Sequence, residues 1–227
     1  SDKYKEHRIF RGSEQTICFT KMITDLVNME KRNILLIDFV IKLAKKNREI
    51  LLVSERVSHV KELVRILKDK NVNFTYSSYI GTTMNEKQKE DAMKCQVIIA
   101  TSQSFGEGID KSTLDTLILA TPKKYVAENK NKKIFASISF VQLVGRIFRQ
   151  KHIKRHPLIV DFWDLFSVYQ TQGYSRQRYY KKELDLDVNK KITVNLDLYE
   201  NFKKEWLDTS TSKSVFEDID ILDTLLL

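Results

Sequence analysis

The chain has 227 residues, of which 42% are hydrophobic and 30% charged, a composition typical of globular proteins rather than of disordered or fibrous ones. Its formal net charge is +9, although residues 199–227 hold seven acidic residues against three lysines. The body of the chain is therefore strongly basic. Such an excess favours a polyanionic partner, nucleic acid above all, although lysine-rich composition is also common on solvated surfaces.

The sequence also lacks the features of a membrane protein and those of a cysteine-based metal site. It has no run of eighteen apolar residues and no apolar stretch at its start, so we expect a soluble, intracellular protein with no membrane partner. Cys18 and Cys95 are the only cysteines, and neither belongs to a C-x-x-C pair. No metal site is therefore expected from the cysteines.

The apolar pattern predicts an α/β fold in which a parallel sheet is flanked by helices. From residue 50 onward, short apolar runs alternate with segments of helical period, which is the pattern of strands joined by covering helices. The predicted strands are 50–53, 74–76, 97–101, 116–120, 158–162 and 192–196. The predicted helices are 33–46, 58–69, 86–94 with Asn85 as N-cap, and 139–150.

The two ends of the chain are predicted to be appendages. Residues 1–32 show no strong period and are interpreted as a linker. In the tail, Val215, Ile219, Leu222 and Leu226 form a helical stripe among acidic residues. Such a stripe docks on this domain, on another domain or on a protein partner, or stays disordered. We therefore divide the chain into a linker at 1–32, an α/β domain at 33–198 and an acidic amphipathic tail at 199–227.

A segment rich in tyrosine and basic residues, 166–184, leaves two interpretations open. The aromatic rings and cations could stack bases and bind phosphates. Alternatively, the tyrosines pack on the sheet while the charges face water, and this second interpretation is favoured.

The segment V-Q-L-V-G-R-I-F-R-Q, residues 141–150, predicts a helix with one charged face. At about 100° per residue, Gln142, Arg146 and Arg149 share one sector. The opposite face carries Phe140, Val144, Ile147 and Phe148. Two guanidiniums at this spacing suit a polyanion such as a nucleoside triphosphate, because each presents a planar fork of donors. A capped and solvated surface helix, with Ser139 and Gln142 as a capping box, is an equal alternative for this segment alone.

A loop with two glycines follows the predicted strand at 97–101. It reads S-Q-S-F-G-E-G-I-D and ends at Asp110 before the next strand. Ligands of parallel sheets bind just beyond the carboxyl ends of the strands. Gly106 and Gly108 would let the backbone approach a phosphate or sugar, and Asp110 could accept from a ribose hydroxyl. Taken alone, a tight loop that needs glycine for positive φ explains these residues better.

Together, the two segments resemble the second RecA-like domain of superfamily 2 helicases. That family's fifth motif ends in E-G-I-D and its sixth reads Q-x-x-G-R-x-x-R, and both are complete and in order here. The stretch I-L-L-V-S-E-R-V-S-H-V, residues 50–60, matches the fourth motif, and Tyr79-Ile80-Gly81 matches the glycine element that follows it. The resemblance runs from about residue 20 to about residue 185.

Within the family, the chain is most similar to DNA helicases of large cytoplasmic DNA viruses, of the poxvirus transcript-release type. The wording S-E-R-V-S-H, the D-x-x-x-x-x-x-R-N pattern at 25–33 and V-D-F-W-D after the sixth motif carry this similarity. Phage recombination helicases and the helicase subunits of nucleotide excision repair share much of the same pattern.

The resemblance implies half of an ATP site. In such helicases ATP with Mg²⁺ lies between two RecA-like domains, and the first supplies the phosphate-binding loop and the metal carboxylates. This sequence has no G-K-[ST] and no D-E-x-[HD], so we expect those groups on an N-terminal RecA-like domain of the same protein and expect this chain alone to be inactive. The family pattern assigns Arg146 and Arg149 to the γ-phosphate and Gln142 to the orientation of nearby groups. It assigns Gly108, Asp110 and Gly145 to the nucleotide.

The resemblance also implies a face that binds a single strand of nucleic acid through its phosphates. The positions that match the family's contacts are Ser54, Arg56, Gly81, Thr101 and Ser102. His59 is interpreted as a packing or cap-region residue instead. Contacts of this kind hold a strand without reading its sequence.

These features lead to two hypotheses about function. The first is the carboxyl-terminal motor domain of an ATP-dependent DNA helicase or translocase, located in the host cytoplasm or virion if viral and otherwise in the nucleus or cytoplasm. The alternative is a non-catalytic nucleic-acid-binding or adaptor domain that retains the motor fold.

Overall fold

The structure, a computed structural model, describes residues 4–104, 111–125, 140–148, 156–186, 190–204 and 222–226. The strands within these ranges are β1 (Arg8–Arg11), β2 (Glu14–Ile17), β3 (Ile50–Ser54), β4 (Tyr76–Tyr79), β5 (Val97–Thr101), β6 (Thr116–Leu119), β7 (Leu158–Trp163), β8 (Lys190–Thr193) and β9 (Leu222–Leu226). The helices are α1 (Phe19–Val27), α2 (Glu30–Lys45), α3 (Val57–Asp69), α4 (Glu86–Lys94), α5 (Phe140–Ile147), α6 (Ser167–Glu183) and α7 (Tyr199–Phe202).

Strands β3 to β9 form one sheet in the order β4-β5-β3-β6-β7-β9-β8, and every neighbouring pair is parallel. Strands β3, β5, β6 and β7 are buried along their whole length. Parallel strands read as continuous apolar runs because helices cover both faces of their sheet. The predicted α/β class is therefore confirmed. Strands β1 and β2 form a separate antiparallel hairpin.

The side chains of the central strands divide between two apolar clusters. Along β3, Ile50 and Leu52 belong to the cluster that contains the buried faces of α1, α2 and α3. Leu51 and Val53 belong to the other cluster, together with the buried face of α5. This alternation follows from the two-residue period of a strand. The sheet is thus a middle layer with a core on each face.

Most predicted elements lie where the apolar pattern places them, with shifts at the margins of the sheet. The strand expected at 74–76 is Tyr76–Tyr79, and the one expected at 192–196 is Lys190–Thr193. Strand β4 is an edge strand and includes two serines, so its apolar signal stops before the strand does. Helix α4 begins as predicted, because Asn85 and Gln88 form a reciprocal capping box.

Both ends of the chain contribute more to the fold than expected. Residues 19–27 of the predicted linker form α1, which has four buried residues but no side-chain cap at Cys18 to signal its start. The helix predicted through Leu222 and Leu226 is wrong there, because residues 222–226 form β9 between β7 and β8. Short apolar runs do not distinguish a helix from a strand. Val215 and Ile219 lie outside the described residues, and the limits of the three predicted segments stay predictions.

The favoured interpretation of segment 166–184 agrees with the structure at most tyrosines. Helix α6 buries Tyr169, Tyr179 and Tyr180, while Tyr174 is 49% exposed and meets the Trp163 ring edge-on. None of the helices in the described part of the chain is long and apolar enough to cross a membrane.

Candidate functional site

The residues predicted to contact nucleic acid lie at the carboxyl ends of β3, β4 and β5. Ser54 and Thr101 end β3 and β5 and are register partners. The Ser102 N–H donates to the Ser54 carbonyl at 3.0 Å, and the Gly81 N–H donates to Ser104 Oγ at 2.8 Å. Because parallel strands end at the same edge of a sheet, residues distant in sequence meet there. We call this region the polar edge.

A buried pair of hydroxyls links two parts of the polar edge. Thr101 Oγ1 and Ser104 Oγ are 2.6 Å apart, and the Ser104 N–H donates to Thr101 Oγ1 at 3.3 Å. Through Ser104 this pair reaches the Gly81 backbone. Thr101 and Gly81 therefore shape the loops that follow their strands. Ser104 was not among the predicted site residues, since only its place two residues beyond Ser102 could have drawn attention to it.

Ser54 also acts inside the protein. It is fully buried, and its hydroxyl lies 2.9 Å from His59 Nδ1 and accepts from the Arg56 N–H at 3.2 Å. His59 Nε2 lies 2.9 Å from Asn33 Oδ1. Burial, with a smaller effect from the charge of Arg32, lowers the pKa of His59 to about 3. The imidazole is therefore neutral, donates through Nε2 and accepts from Ser54, in agreement with its interpretation as a packing residue.

Arg56 directs its guanidinium along the protein surface. It donates to the Glu55 carbonyl at 3.2 Å and to the Thr20 carbonyl at 3.4 Å, and the residue is half-buried. Both acceptors are neutral carbonyls, so neither of these hydrogen bonds offsets the positive charge that an anion would meet. Arg56 is thus a predicted contact that keeps the charge its role requires.

Glu55 and Lys123 complete the polar edge, although neither was predicted as a site residue. Glu55 Oε1 accepts from Ser102 Oγ at 2.5 Å and from Lys123 Nζ at 2.8 Å. The Glu55 N–H donates to Thr121 Oγ1 at 3.1 Å. The fourth-motif letters S-E-R contain this glutamate, but only the fold brings Lys123 to it from 68 residues away.

Two buried arginines hold the backbone that follows β6. Arg32 makes a bidentate pair with Asp164, with N–O distances of 2.8 and 2.9 Å, and donates a third bond to the Ala120 carbonyl at 2.7 Å. Burial acts to lower the pKa of Arg32, but the charge and hydrogen bonds of Asp164 outweigh it and leave the pKa raised. The arginine is therefore charged, and Tyr4 adds a hydrogen bond to Asp164 at 2.7 Å.

The second arginine repeats this arrangement from α6. Arg176 pairs with both oxygens of Asp161 at 2.7 and 2.8 Å and donates to the Lys123 carbonyl at 2.7 Å. Tyr180 also donates to Asp161, at 3.0 Å. The V-D-F-W-D stretch therefore supplies the carboxylates of both buried pairs, which fix the main chain from Ala120 to Lys123. Such pairs are costly to break, because one partner alone would be a buried, uncompensated charge.

Helix α5 carries the described part of the predicted nucleotide site. Phe140, Leu143, Val144 and Ile147 are buried. Gln142 and Gly145 are exposed on the other side and Arg146 is half-buried, as the helical period predicts. Phe148, expected on the apolar face, is instead 38% exposed just after the helix ends. Arg149, Gly108 and Asp110 lie outside the described residues.

Gly145 leaves open space on the exposed side of α5. Apart from its chain neighbours and the backbone of its own helix, no atom of the described residues lies within 4 Å of a Cβ built on it. Glycine inside a helix costs about 0.5–1 kcal/mol relative to alanine, and side-chain packing within the described part gives no reason to keep it. A ligand or protein group that approaches α5 closely at this position would be a reason to keep glycine there.

The sequence matches the family described as helicase conserved C-terminal domain over residues 31–151, more than half of the chain. It is 30% identical over 168 residues to a protein of Acanthamoeba polyphaga mimivirus provisionally named an ATP-dependent RNA helicase, with 72% of this chain and 29% of that protein covered. It is 32% identical over 114 residues to a provisionally named helicase of Invertebrate iridescent virus 6, with 50% of this chain and 22% of that protein covered.

The fold is similar to one found in the crystal structure of T4 UvsW. The TM-score is 0.56 at 21% sequence identity, and the match covers 73% of this chain and 35% of that one. The matched part of this chain covers less than a third of the length of each of the two viral relatives.

Proposed function

Because this chain belongs to the helicase conserved C-terminal domain family, we propose that it is the second motor domain of an ATP-dependent helicase or translocase. In this proposal it binds a single strand at the polar edge and acts on ATP through α5. The substrate proposed from the sequence resemblance is DNA. RNA is the comparison substrate, since the mimivirus relative is named as an RNA helicase.

The observation that carries the nucleotide half of the proposal is the exposed face of α5. Its apolar side is buried, so Gln142 and Arg146 are held on a rigid helix, and Gly145 leaves room beside them. A guanidinium on a packed helix is positioned before its ligand arrives, which lowers the entropic cost of binding charge. Arg149 is assigned to the same face by the motif.

When bound, ATP would supply the phosphoryl group, and Mg²⁺ would neutralise part of the negative charge of the phosphates. We assign the phosphate-binding loop and the metal carboxylates to an N-terminal RecA-like domain of the same protein. Arg146 and Arg149 would approach across the interface and stabilise the negative charge that develops on the phosphoryl oxygens. Gln142 would orient a nearby water or side chain, and Gly108, Asp110 and Gly145 would line the nucleotide.

The polar edge supports the nucleic-acid half of the proposal through hydroxyls, backbone groups and cations. We propose that Arg56 and Ser102 contact strand phosphates directly, Arg56 from the surface and Ser102 through a hydroxyl that is buried in the unbound chain. Ser54, Thr101 and Gly81 are buried and hold the loops in place. Contacts limited to phosphates would not select a base sequence.

Arginine substitution tests the proposed ATP site in the polypeptide that carries both motor domains. We expect Arg149→Ala to lower kcat for ATP hydrolysis by about 10³- to 10⁵-fold, the usual contribution of an arginine supplied across an interface. Arg149→Lys should restore little of this activity, since an ammonium lacks the planar fork of donors. Steady-state ATP hydrolysis in the presence of single-stranded DNA measures both effects.

Arg65→Ala is the matched control, because Arg65 is an exposed arginine on α3 whose ion pairs, with Glu62 and Asp69, lie on its own helix. It should keep the kcat of the unsubstituted protein. Robust hydrolysis by this chain alone, abolished by Arg149→Ala, would contradict the assignment of half a site to it. Full activity of the two-domain Arg149→Ala protein would contradict the role of the arginine.

A further inference from the structure

Glu55 places a carboxylate in the middle of the polar edge. It lies between Ser54 and Arg56 in sequence, and its side chain is 29% exposed. A negative charge here opposes the approach of a strand phosphate. In a chain whose body is strongly basic, an acidic residue at this position needs an explanation.

The hydrogen bonds of Glu55 are those that a phosphate oxygen would make. A single oxygen, Oε1, accepts from the Ser102 hydroxyl at 2.5 Å and from the Lys123 ammonium at 2.8 Å. A hydroxyl and an ammonium that converge on one anionic oxygen make a phosphate-binding arrangement as readily as a carboxylate-binding one. Glu55 therefore holds two donors that the polar edge would otherwise offer to nucleic acid.

We propose that Glu55 is an intramolecular competitor of the strand, whose carboxylate must leave Ser102 and Lys123 before a phosphate binds between them. This inference rests on the proposed single-strand binding at the polar edge. Its consequence is weakened binding, since each strand that binds there displaces an existing ion pair. A motor that must release its track at every step gains from such moderation.

The exchange requires side-chain motion only. The Glu55 N–H is held by Thr121 Oγ1 at 3.1 Å, and the Lys123 carbonyl is held by Arg176 at 2.7 Å. The main chain on both sides of the ion pair is thus fixed. The partly exposed Glu55 side chain can turn toward water while Lys123 and Ser102 stay in place.

Substitution of Glu55 by glutamine tests the proposal in this chain. The probe is a short fluorescent oligothymidylate, with oligouridylate in parallel, and fluorescence anisotropy is measured over a series of salt concentrations. We expect Glu55→Gln to tighten binding about five- to tenfold at low salt, the effect of removing one like charge near a phosphate. The log–log salt slope should steepen by up to about 0.7, because no freed carboxylate takes up a cation.

Glu49→Gln is the closely matched control. Glu49 also pairs with a lysine, Lys111 at 2.5 Å, and its side chain is 34% exposed. It precedes β3 and therefore lies at the amino ends of the strands, away from the polar edge. Glu49→Gln removes one negative charge next to β3, as Glu55→Gln does, but from the residue that precedes this strand, so it reports the general electrostatic effect. We expect its affinity to stay within about twofold of the unsubstituted chain at each salt concentration, since distant exposed charges are screened.

A second substitution tests whether the gain in affinity comes from the ammonium that Glu55 releases. In the Glu55→Gln background, Lys123→Met should abolish the gain in affinity, because the released ammonium is what binds the added phosphate. Glu55→Ala should tighten binding in the same direction as Glu55→Gln, and thermal unfolding establishes that each variant is folded.

The outcomes distinguish the two proposals. If the unsubstituted chain binds both probes and Arg56→Ala weakens that binding, but Glu55→Gln gains no more than Glu49→Gln or binds more weakly, the competitor role is overturned while strand binding stands. If neither the unsubstituted chain nor Glu55→Gln binds either probe, both proposals fall.

Discussion

Single residues decide how rigidly the polar edge is held. Ser54, His59 and Asn33 form a buried chain of hydrogen bonds that ends on the Val27 carbonyl, where Asn33 Nδ2 donates at 2.8 Å. Each of these hydrogen bonds has one donor and one acceptor, and this assignment requires a neutral His59, because its Nδ1 accepts from Ser54. Protonation of His59 would place a second donor against Ser54 and a charge in the core.

The low pKa of His59 predicts a loss of stability in acid. The folded pKa is about 3 and the ordinary value is 6.5, so between these limits the unfolded state binds the extra proton. The stabilising contribution is complete above 6.5 and is lost as the pH falls toward 3. From about pH 7 to about pH 5, this group should cost about 2 kcal/mol of unfolding free energy. Urea unfolding at the two pH values measures it.

His59→Gln should remove that part of the pH dependence, because glutamine does not titrate. The matched control is His156→Gln, which replaces an exposed histidine outside this hydrogen-bond chain and leaves His59 in place. Equal losses of stability in the His59→Gln and unsubstituted chains would show that the buried imidazole is not their source.

At the scale of elements, α6 is positioned by a close approach to β7. A Cβ on Gly173 would overlap the indole ring of Trp163, and the indole Nε1 donates to the Gln170 carbonyl at 3.2 Å. This contact fixes the register of α6, which also carries Arg176 to Asp161. The glycine therefore supports the buried ion pair that holds the backbone beside the polar edge.

Gly173→Ala is expected to destabilise the protein by about 1–3 kcal/mol or more, because an added methyl in a full space forces the ring or the helix to move. Gly145→Ala is the matched control, a helical glycine with no described atom near its Cβ position. It should be neutral or stabilise by up to about 1 kcal/mol, since alanine favours the helix. Urea unfolding compares the two variants, and a harmless Gly173→Ala would contradict the close approach.

At the scale of the whole molecule, the sheet depends on a strand from the end of the chain. Strand β9 lies between β7 and β8 and pairs with both. It joins β8 to the rest of the sheet, and its backbone groups face a neighbour on each side. Residues 222–226 are therefore part of the architecture that supports β7 and the two carboxylates of V-D-F-W-D.

Thr224→Pro tests this arrangement. Proline removes the N–H by which residue 224 joins one of its neighbours, so we expect a loss of about 2 kcal/mol or more in unfolding free energy. Thr224→Ala keeps the N–H and measures what loss of the side chain contributes. Equal stabilities of the two variants, measured by thermal or urea unfolding, would contradict an internal position for β9.

The sequence by itself determined the strands that form the centre of the sheet, the apolar face of α5, the cap at Asn85 and the order of the motifs. Each of these follows from local periodicity, turn chemistry or a contiguous run of letters, which neighbouring residues set among themselves. It did not reveal α1, whose start has no capping side chain, or β9, whose short apolar run fits a helix equally well.

Only the tertiary structure decided which predicted contacts are buried supports and which keep available charge. Ser54 and Arg56 are two letters apart, yet one is enclosed by His59 and the other retains a half-exposed guanidinium. Glu55 meets Lys123 across 68 residues. Such pairings depend on which strands become neighbours in the sheet. That choice reflects the burial of whole elements against each other, which no local pattern encodes.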